Sequence, residues 1–113
     1  MTAPGVQPLA LDREGGHALD AVVHVPEGAP RGAIVVCHPH PGHGGHMDHP
    51  VVVALAERAA AAGLRALRFD FRGVRRSEGD VDDHEGHLED VCLAAAVLRE
   101  AVPEGALLGG GFS

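Results

Sequence analysis

The alternation of hydrophobic and polar positions divides the chain into short strands and longer amphipathic segments. Residues 7–12 and 17–28 flank the turn signal REGG and predict an antiparallel β-hairpin. The unbroken apolar run from Ala33 to Cys37 is typical of a strand that is covered on both faces. Residues 64–71 and the terminal ALLGGG stretch, residues 106–111, predict two further strands.

Two helices are predicted between these strands. The first runs from His49 to about Ala62, because Pro50 suits a first helical turn and Gly63 suits a left-handed end. Its expected buried stripe consists of Val51, Val52, Leu55, Ala59 and Ala62. The second helix begins at a capping box of Asp82 and Glu85 and stops before Pro103. Its expected buried stripe consists of Leu88, Val91, Cys92, Ala95 and Leu98.

The order of these elements predicts the fold class. A hairpin is followed by strand, helix, strand, helix and strand, which is the pattern of right-handed βαβ crossovers and a parallel sheet. We therefore predict an α/β fold, an incomplete three-layer sandwich, in which residues 1–113 form part of a single domain.

Composition narrows the class of protein. Apolar residues make up 45% and charged residues 22%, as in a globular domain, and no run of about 18 apolar residues predicts a membrane span. The first residues lack a basic start and an apolar core, so no signal peptide is predicted. Cys37 and Cys92 lie in apolar segments and are expected to be buried, reduced thiols, which favours the cytoplasm. The net charge of −7 disfavours a nucleic-acid partner.

Candidate chemistry collects where the parallel strands end. Three loops are expected at that edge of the sheet: HPHPGHGGHMD, RGVRRSEGD and the end of the given sequence. Gly111, Phe112 and Ser113 match the first three positions of a nucleophile elbow, G-x-S-x-G, in which a sharp turn lifts the serine clear of the sheet.

The residues from the HPHP…GGHMD loop through RFDFRGVRRSEG to GGFS resemble the α/β-hydrolase superfamily, in particular small bacterial serine hydrolases. The resemblance covers nearly the whole chain and implies an N-terminal half that ends at the nucleophile. It implies hydrolysis of a small-molecule acyl substrate, an ester, a thioester or a related bond, with no cofactor and no membrane or nucleic-acid partner.

The resemblance also implies residue roles. Ser113 corresponds to the nucleophile, and the backbone N–H of His40, after His38 and Pro39, corresponds to one donor of the oxyanion hole. Asp70 and Arg72 correspond to structural residues that tie loops by hydrogen bonds. The second oxyanion donor, the triad acid and the triad histidine follow the serine in this family. The 113 residues are therefore expected to be inactive alone, with the α-carboxylate of Ser113 opposing the oxyanion.

Arg75 departs from the family pattern, in which glycine is frequent at that position. It is expected either to narrow the mouth of the site, to pair with Glu78 and Asp80, or to be a solvated loop residue. Ser77 is the other conceivable nucleophile, but it lacks an elbow and is expected to stabilise its loop instead.

The histidines suggest an alternative from a different class. His43, His46 and His49 crowd one loop, and neutral imidazoles suit Zn²⁺, Ni²⁺ or Cu²⁺, but their spacing is not that of a structured zinc site. A non-catalytic fragment that binds metal, or that completes its sheet with a second polypeptide, is the competing hypothesis. In the latter case the last strand is an exposed edge and a candidate for self-association.

Overall fold

The computed structural model describes residues 5–13 and 18–111, which form a mixed five-stranded sheet with a helix on each face. The strands are β1 (Gly5–Asp12), β2 (Ala18–Val25), β3 (Gly32–Cys37), β4 (Leu64–Phe69) and β5 (Ala106–Gly111). The helices are α1 (Pro50–Ala61), α2 (His84–Ala101) and one short 3₁₀ turn, Pro41–His43. The predicted REGG turn falls largely outside the described residues.

The strand order is β1-β2-β4-β3-β5. The hairpin of β1 and β2 is antiparallel, β2 joins β4 antiparallel, and β3 pairs in parallel with β4 on one side and β5 on the other. Because β4 and β5 flank β3, crossovers of the same hand place their helices on opposite faces. The predicted hairpin followed by a parallel βαβαβ unit is confirmed.

Each helix covers its own hydrophobic core. Alternate residues of β3 point to opposite faces, so Ile34 and Val36 pack with α1 whereas Ala33 and Val35 pack on the α2 side. This two-sided burial explains why β3 is an uninterrupted apolar run. Neither helix in the described part of the chain has the length and apolar character that a bilayer-spanning segment needs.

The boundaries of α1 follow local chemistry. His49 is the N-cap, and its Nδ1 accepts a hydrogen bond from the Val51 N–H at 3.2 Å. Gly63 follows the helix with φ 93°, the predicted left-handed conformation. The predicted buried stripe was wrong in part, because Val51 and Ala62 are exposed and Ala56 is fully buried.

The predicted face of α2 was wrong in part, although Leu98 is buried and Val91 and Ala95 pack against the same core. The N-cap is Asp83, not Asp82, and Leu88 and Cys92 are exposed. The buried positions recur every four residues, at Gly86, Asp90, Ala94 and Leu98. A hydrophobicity pattern misses this face because it includes a carboxylate, which is buried only because Arg72 neutralises it.

Candidate active site

The register of the parallel strands brings two loops to one edge of the sheet. Cys37, the last residue of β3, pairs with Gly111, the last residue of β5. Adjacent strands lie about 4.8 Å apart, so the loop that follows β3 begins beside the end of β5. Ser113, two residues beyond Gly111 in the sequence, lies outside the described residues, as does Phe112.

The His-Pro loop (residues 38–48) closes on itself immediately after β3. The Gly45 N–H donates to the His40 carbonyl at 3.2 Å, and the Gly44 N–H donates to the Pro41 carbonyl at 3.0 Å. A Cβ atom on Gly45 would lie 1.7 Å from the Pro39 carbonyl oxygen, so only glycine fits there. The turn leaves His40 extended, with φ −53° and ψ 134°, at the bend.

His38 joins the His-Pro loop to the β4–α2 loop (residues 70–83). Its Nδ1–H donates to the Pro39 carbonyl at 2.7 Å, and its Nε2 accepts from the Phe71 N–H at 3.2 Å. This pairing fixes one neutral tautomer. Burial lowers the pKa of His38, although the hydrogen bond to Pro39 opposes that shift. The ring also packs edge-on against Phe71, with centroids 5.0 Å apart.

Asp70 is fully buried at the end of β4 and faces the His-Pro loop. Its Oδ1 accepts from the Met47 N–H at 2.7 Å, and its Oδ2 accepts from the Arg75 Nε at 3.0 Å. Arg75 also pairs with Asp48 at 2.9 Å. The ion-pair partners found for Arg75 are therefore Asp48 and Asp70, whereas pairing with Glu78 and Asp80 was one of three alternatives drawn from the sequence.

Asp48 receives two guanidinium groups. Arg68 binds its Oδ1 at 2.7 Å and Arg75 binds its Oδ2 at 2.9 Å. Burial raises the pKa of Asp48, but the hydrogen bonds from Arg68 and Arg75 outweigh it, and the net shift is downward. The carboxylate thus stays ionised where the His-Pro loop meets β4.

Arg72 joins the β4–α2 loop to α2. Its Nη2 binds Asp90 at 2.8 Å and its Nη1 binds Asp83 at 2.8 Å, while its backbone N–H donates to Asp90 at 2.9 Å. The hydrogen bonds with Asp90 raise the pKa of Arg72 despite burial. Asp70 and Arg72 therefore act on separate elements, the first on the His-Pro loop and the second on α2.

The sequence contains two serines, Ser77 and Ser113. Ser77 is 3% exposed; its hydroxyl donates to the Asp70 carbonyl at 2.6 Å and accepts from the Asp20 N–H at 2.8 Å. The first hydrogen bond closes the β4–α2 loop on itself, and the second ties this loop to β2. Ser77 is thus a loop-stabilising residue and not an exposed nucleophile.

Sequence reasoning missed the partner of His24. The Arg68 Nε donates to the His24 Nε2 at 2.9 Å, and burial together with the charge of Arg68 lowers the pKa of His24. The available signal was Arg68 itself, the second of two cations in a mainly apolar strand, because a buried cation requires buried acceptors.

An open groove of about 550 Å³ separates the His-Pro loop from the β4–α2 loop. His40 and His46 line one side, and Gly73, Arg75 and Asp82 line the other. The groove therefore offers charges of both signs beside the bend that carries His40.

The metal hypothesis gains no geometric support from the described part of the chain. No group of three or more potential ligands converges among the residues described there, and the side chain of His43 is outside them. The Nδ1 atoms of His46 and His49 accept backbone hydrogen bonds from Asp48 and Val51, so these nitrogens cannot serve as ligands.

Several solved structures share this architecture. An α/β serine hydrolase without a lid from Xanthomonas campestris is 32% identical, with a TM-score of 0.86, over 100% of this chain and 53% of its own. An α/β serine hydrolase homologue from Coxiella burnetii is 30% identical, with a TM-score of 0.84, over 95% of this chain and 51% of its own. A protein of unknown function from Agrobacterium tumefaciens, described as a candidate α/β hydrolase, is 26% identical, with a TM-score of 0.83, over 94% of this chain and 49% of its own.

The chain thus spans about half the length of these structures. An uncharacterized protein of Rickettsia prowazekii is 35% identical over 69 residues, which are 61% of this chain and 29% of that protein. No family profile matches the chain.

Proposed function

Because the chain is related to the α/β serine hydrolases over its described length, we propose that it supplies the nucleophile and the oxyanion loop of an acyl hydrolase. The substrates are carboxylic esters, thioesters or related acyl compounds. The observation that carries the proposal is the pairing of Cys37 with Gly111, because it starts the His-Pro loop and the Gly-Phe-Ser segment from adjacent points on the sheet.

Ser113 is the proposed nucleophile. Its Oγ attacks the acyl carbonyl, a general base takes the hydroxyl proton, and the carbonyl oxygen becomes an oxyanion. Collapse of this intermediate expels the alcohol or thiol, which receives the proton, and leaves the acyl group on Ser113. Water then attacks the acyl-enzyme by the same route and releases the acid.

The oxyanion is proposed to bind the backbone N–H of His40 and the N–H of the residue that follows the serine. One such donor lowers the barrier by about 3 kcal/mol in a working site. The conformation of the His-Pro loop supports this role, because the backbone hydrogen bond from Gly45 to His40 and the bond from the Gly42 N–H to the His40 Nδ1 hold the bend.

The base and its orienting acid follow the nucleophile in this fold, in the order serine, acid, histidine. We therefore assign neither role to any residue that precedes Ser113. Without them the serine hydroxyl is a poor nucleophile, so the 113-residue polypeptide by itself is expected to hydrolyse esters no faster than its Ser113→Ala variant.

A chimera tests the proposal with the missing groups supplied. This chain matches 53% of the length of the Xanthomonas hydrolase. In the chimera, residues 1–113 are joined to the remaining, carboxyl-terminal part of that hydrolase. The chimera is expected to hydrolyse p-nitrophenyl acetate, and Ser113→Ala is expected to lower kcat by at least about 10³-fold.

Circular dichroism and thermal unfolding of the two chimeras provide the folding control. If both fold alike and hydrolyse the ester equally fast, Ser113 is not the nucleophile and the proposed function fails.

A further inference from the structure

The backbone of Arg75 is held in an unfavourable conformation. Its φ is 48°, and it is the only residue other than glycine with a positive φ in the described ranges 5–13 and 18–111. Residues with a Cβ rarely adopt this region, whereas glycine does so freely. Such strain persists only where surrounding contacts hold it, and it is concentrated at functional sites.

The contacts that hold Arg75 come from two different elements. Its Nε and Nη2 bind Asp70 Oδ2 at 3.0 and 2.9 Å, and its Nη1 binds Asp48 Oδ2 at 2.9 Å. Asp70 is fully buried at the end of β4, and Asp48 belongs to the His-Pro loop. One guanidinium therefore bridges the loop and the sheet.

Asp70 and Arg68 hold the backbone of the His-Pro loop, the first paired directly with Arg75 and the second linked to Arg75 through Asp48. Asp70 accepts from the Met47 N–H at 2.7 Å, and Arg68, the other partner of Asp48, donates to the Met47 carbonyl at 3.1 Å. Both peptide groups of Met47 are thus fixed. Met47 lies two residues after Gly45, whose N–H binds the His40 carbonyl, so a shift at Met47 is transmitted to the bend.

We propose that Arg75 is a positioning residue for the oxyanion loop, acting through Asp48 and Asp70 and not on the substrate. Its guanidinium locks residues 45–48 against the end of β4 and thereby fixes the backbone at His40. This role rests on the proposed function, since the loop is an oxyanion loop only in a hydrolase. The lock itself can be measured without any catalysis.

The Arg75→Gly variant tests whether the Arg75 guanidinium holds residues 45–48 against the end of β4. Glycine relieves the strained φ, so if the guanidinium of Arg75 did not hold the loop, the substitution would not loosen residues 45–48. We expect instead that amide hydrogen exchange at Gly45 and Met47 becomes about tenfold faster, while exchange in the central strand β3 is unchanged. Arg75→Gln, which removes the charge without adding a glycine, is expected to give the same pattern.

Arg76→Gln is the matched control, because it removes one charge from the neighbouring exposed position. It is expected to leave exchange at Gly45 and Met47 unchanged. Arg75→Lys, which keeps the charge but cannot bridge both carboxylates equally well, is expected to restore part of the protection. Asp48→Asn is expected to loosen the same amides and to add little in an Arg75→Gln background.

Unchanged exchange at Gly45 and Met47 in Arg75→Gly would overturn the lock. So would an equal increase in β3, since that indicates global destabilisation. The catalytic part is tested in the chimera, where Arg75→Gly is expected to lower kcat about tenfold with little change in KM. Loosened amides with unchanged kcat would refute the positioning role, and a chimera in which Ser113→Ala changes nothing would refute the hydrolase instead.

Discussion

Polar side chains at the carboxyl edge of the sheet are held by hydrogen bonds to named partners. Asp70 is fully buried and binds the Met47 N–H and the Arg75 guanidinium, and His38 is 7% exposed and has two backbone partners that fit one neutral tautomer. Buried polar groups of this kind cost free energy if a partner is lost. The free energy of unfolding is therefore expected to depend on pH through the buried histidines.

Stability is expected to fall in mild acid because of His24 and His38. Burial lowers the pKa of both imidazoles in the folded state below the ordinary value of 6.5. The unfolded chain then binds more protons than the folded chain below pH 6.5, so this contribution is complete above that pH and is lost as pH falls through it. Urea unfolding should therefore give a lower free energy of unfolding at pH 5.5 than at pH 7.5.

His38→Gln should flatten this dependence, because a glutamine amide does not titrate, although it lowers stability at both pH values. His84→Gln, at an exposed position of α2, serves as the control and should leave the dependence unchanged. Equal pH slopes in the wild-type chain and in His38→Gln would show that His38 does not contribute.

Predictions for single residues succeeded where neighbours in the sequence determine the conformation. They failed where the hydrogen-bond partner is far away in the sequence. The capping histidine and Gly63 could be inferred from neighbours in the sequence. The pairing of Arg68 with His24 could not, because 44 residues separate them and only the β2–β4 register brings them together.

At the scale of elements, α2 is joined to the sheet by both packing and charge. Ala94 and Leu98 pack on the core of the hairpin side, while Asp90, on the same face, is fully buried against Arg72. A buried carboxylate with several hydrogen bonds from one guanidinium is costly to break, because removal of one partner leaves an unpaired charge.

Asp90→Ala is therefore expected to lower the free energy of unfolding by about 3–5 kcal/mol. Glu89→Ala is the matched control, since its side chain is 76% exposed and lies 3.5 Å from the same guanidinium. That substitution should cost less than about 1 kcal/mol. Urea titration measures the free energy of unfolding of both variants. Similar losses in the two would show that the buried Arg72–Asp90 pair stabilises the fold no more than the exposed contact between Arg72 and Glu89.

Element existence and order could be predicted because strand and helix periods differ and because glycine and proline mark the ends. The rotation of each helix about its axis could not. For α2 the apolar stripe was placed around Leu88 and Cys92, but small residues and the Arg72–Asp90 pair turn Gly86 and Asp90 toward the sheet. Such a pair can be inferred only when the β4–α2 loop is known to contact α2.

For the molecule as a whole, the sheet order decides which loops can cooperate. β3 lies between β4 and β5, so the His-Pro loop has the β4–α2 loop on one side and the end of β5 on the other. In the described residues the outer edge of β5 pairs with no strand, and Leu108 on that strand is 48% exposed. Self-association through this edge stays a prediction.

The most direct test of the account is to find which serine reacts. The folded chimera is treated with a fluorophosphonate, and the modified peptide is identified by mass spectrometry. Ser77 is the one other serine in residues 1–113, so an adduct in this part of the chimera has two possible sites. We predict a single adduct on Ser113 that is absent in Ser113→Ala. An adduct on Ser77, or a folded chimera in which Ser113 stays unmodified, would contradict the central claim.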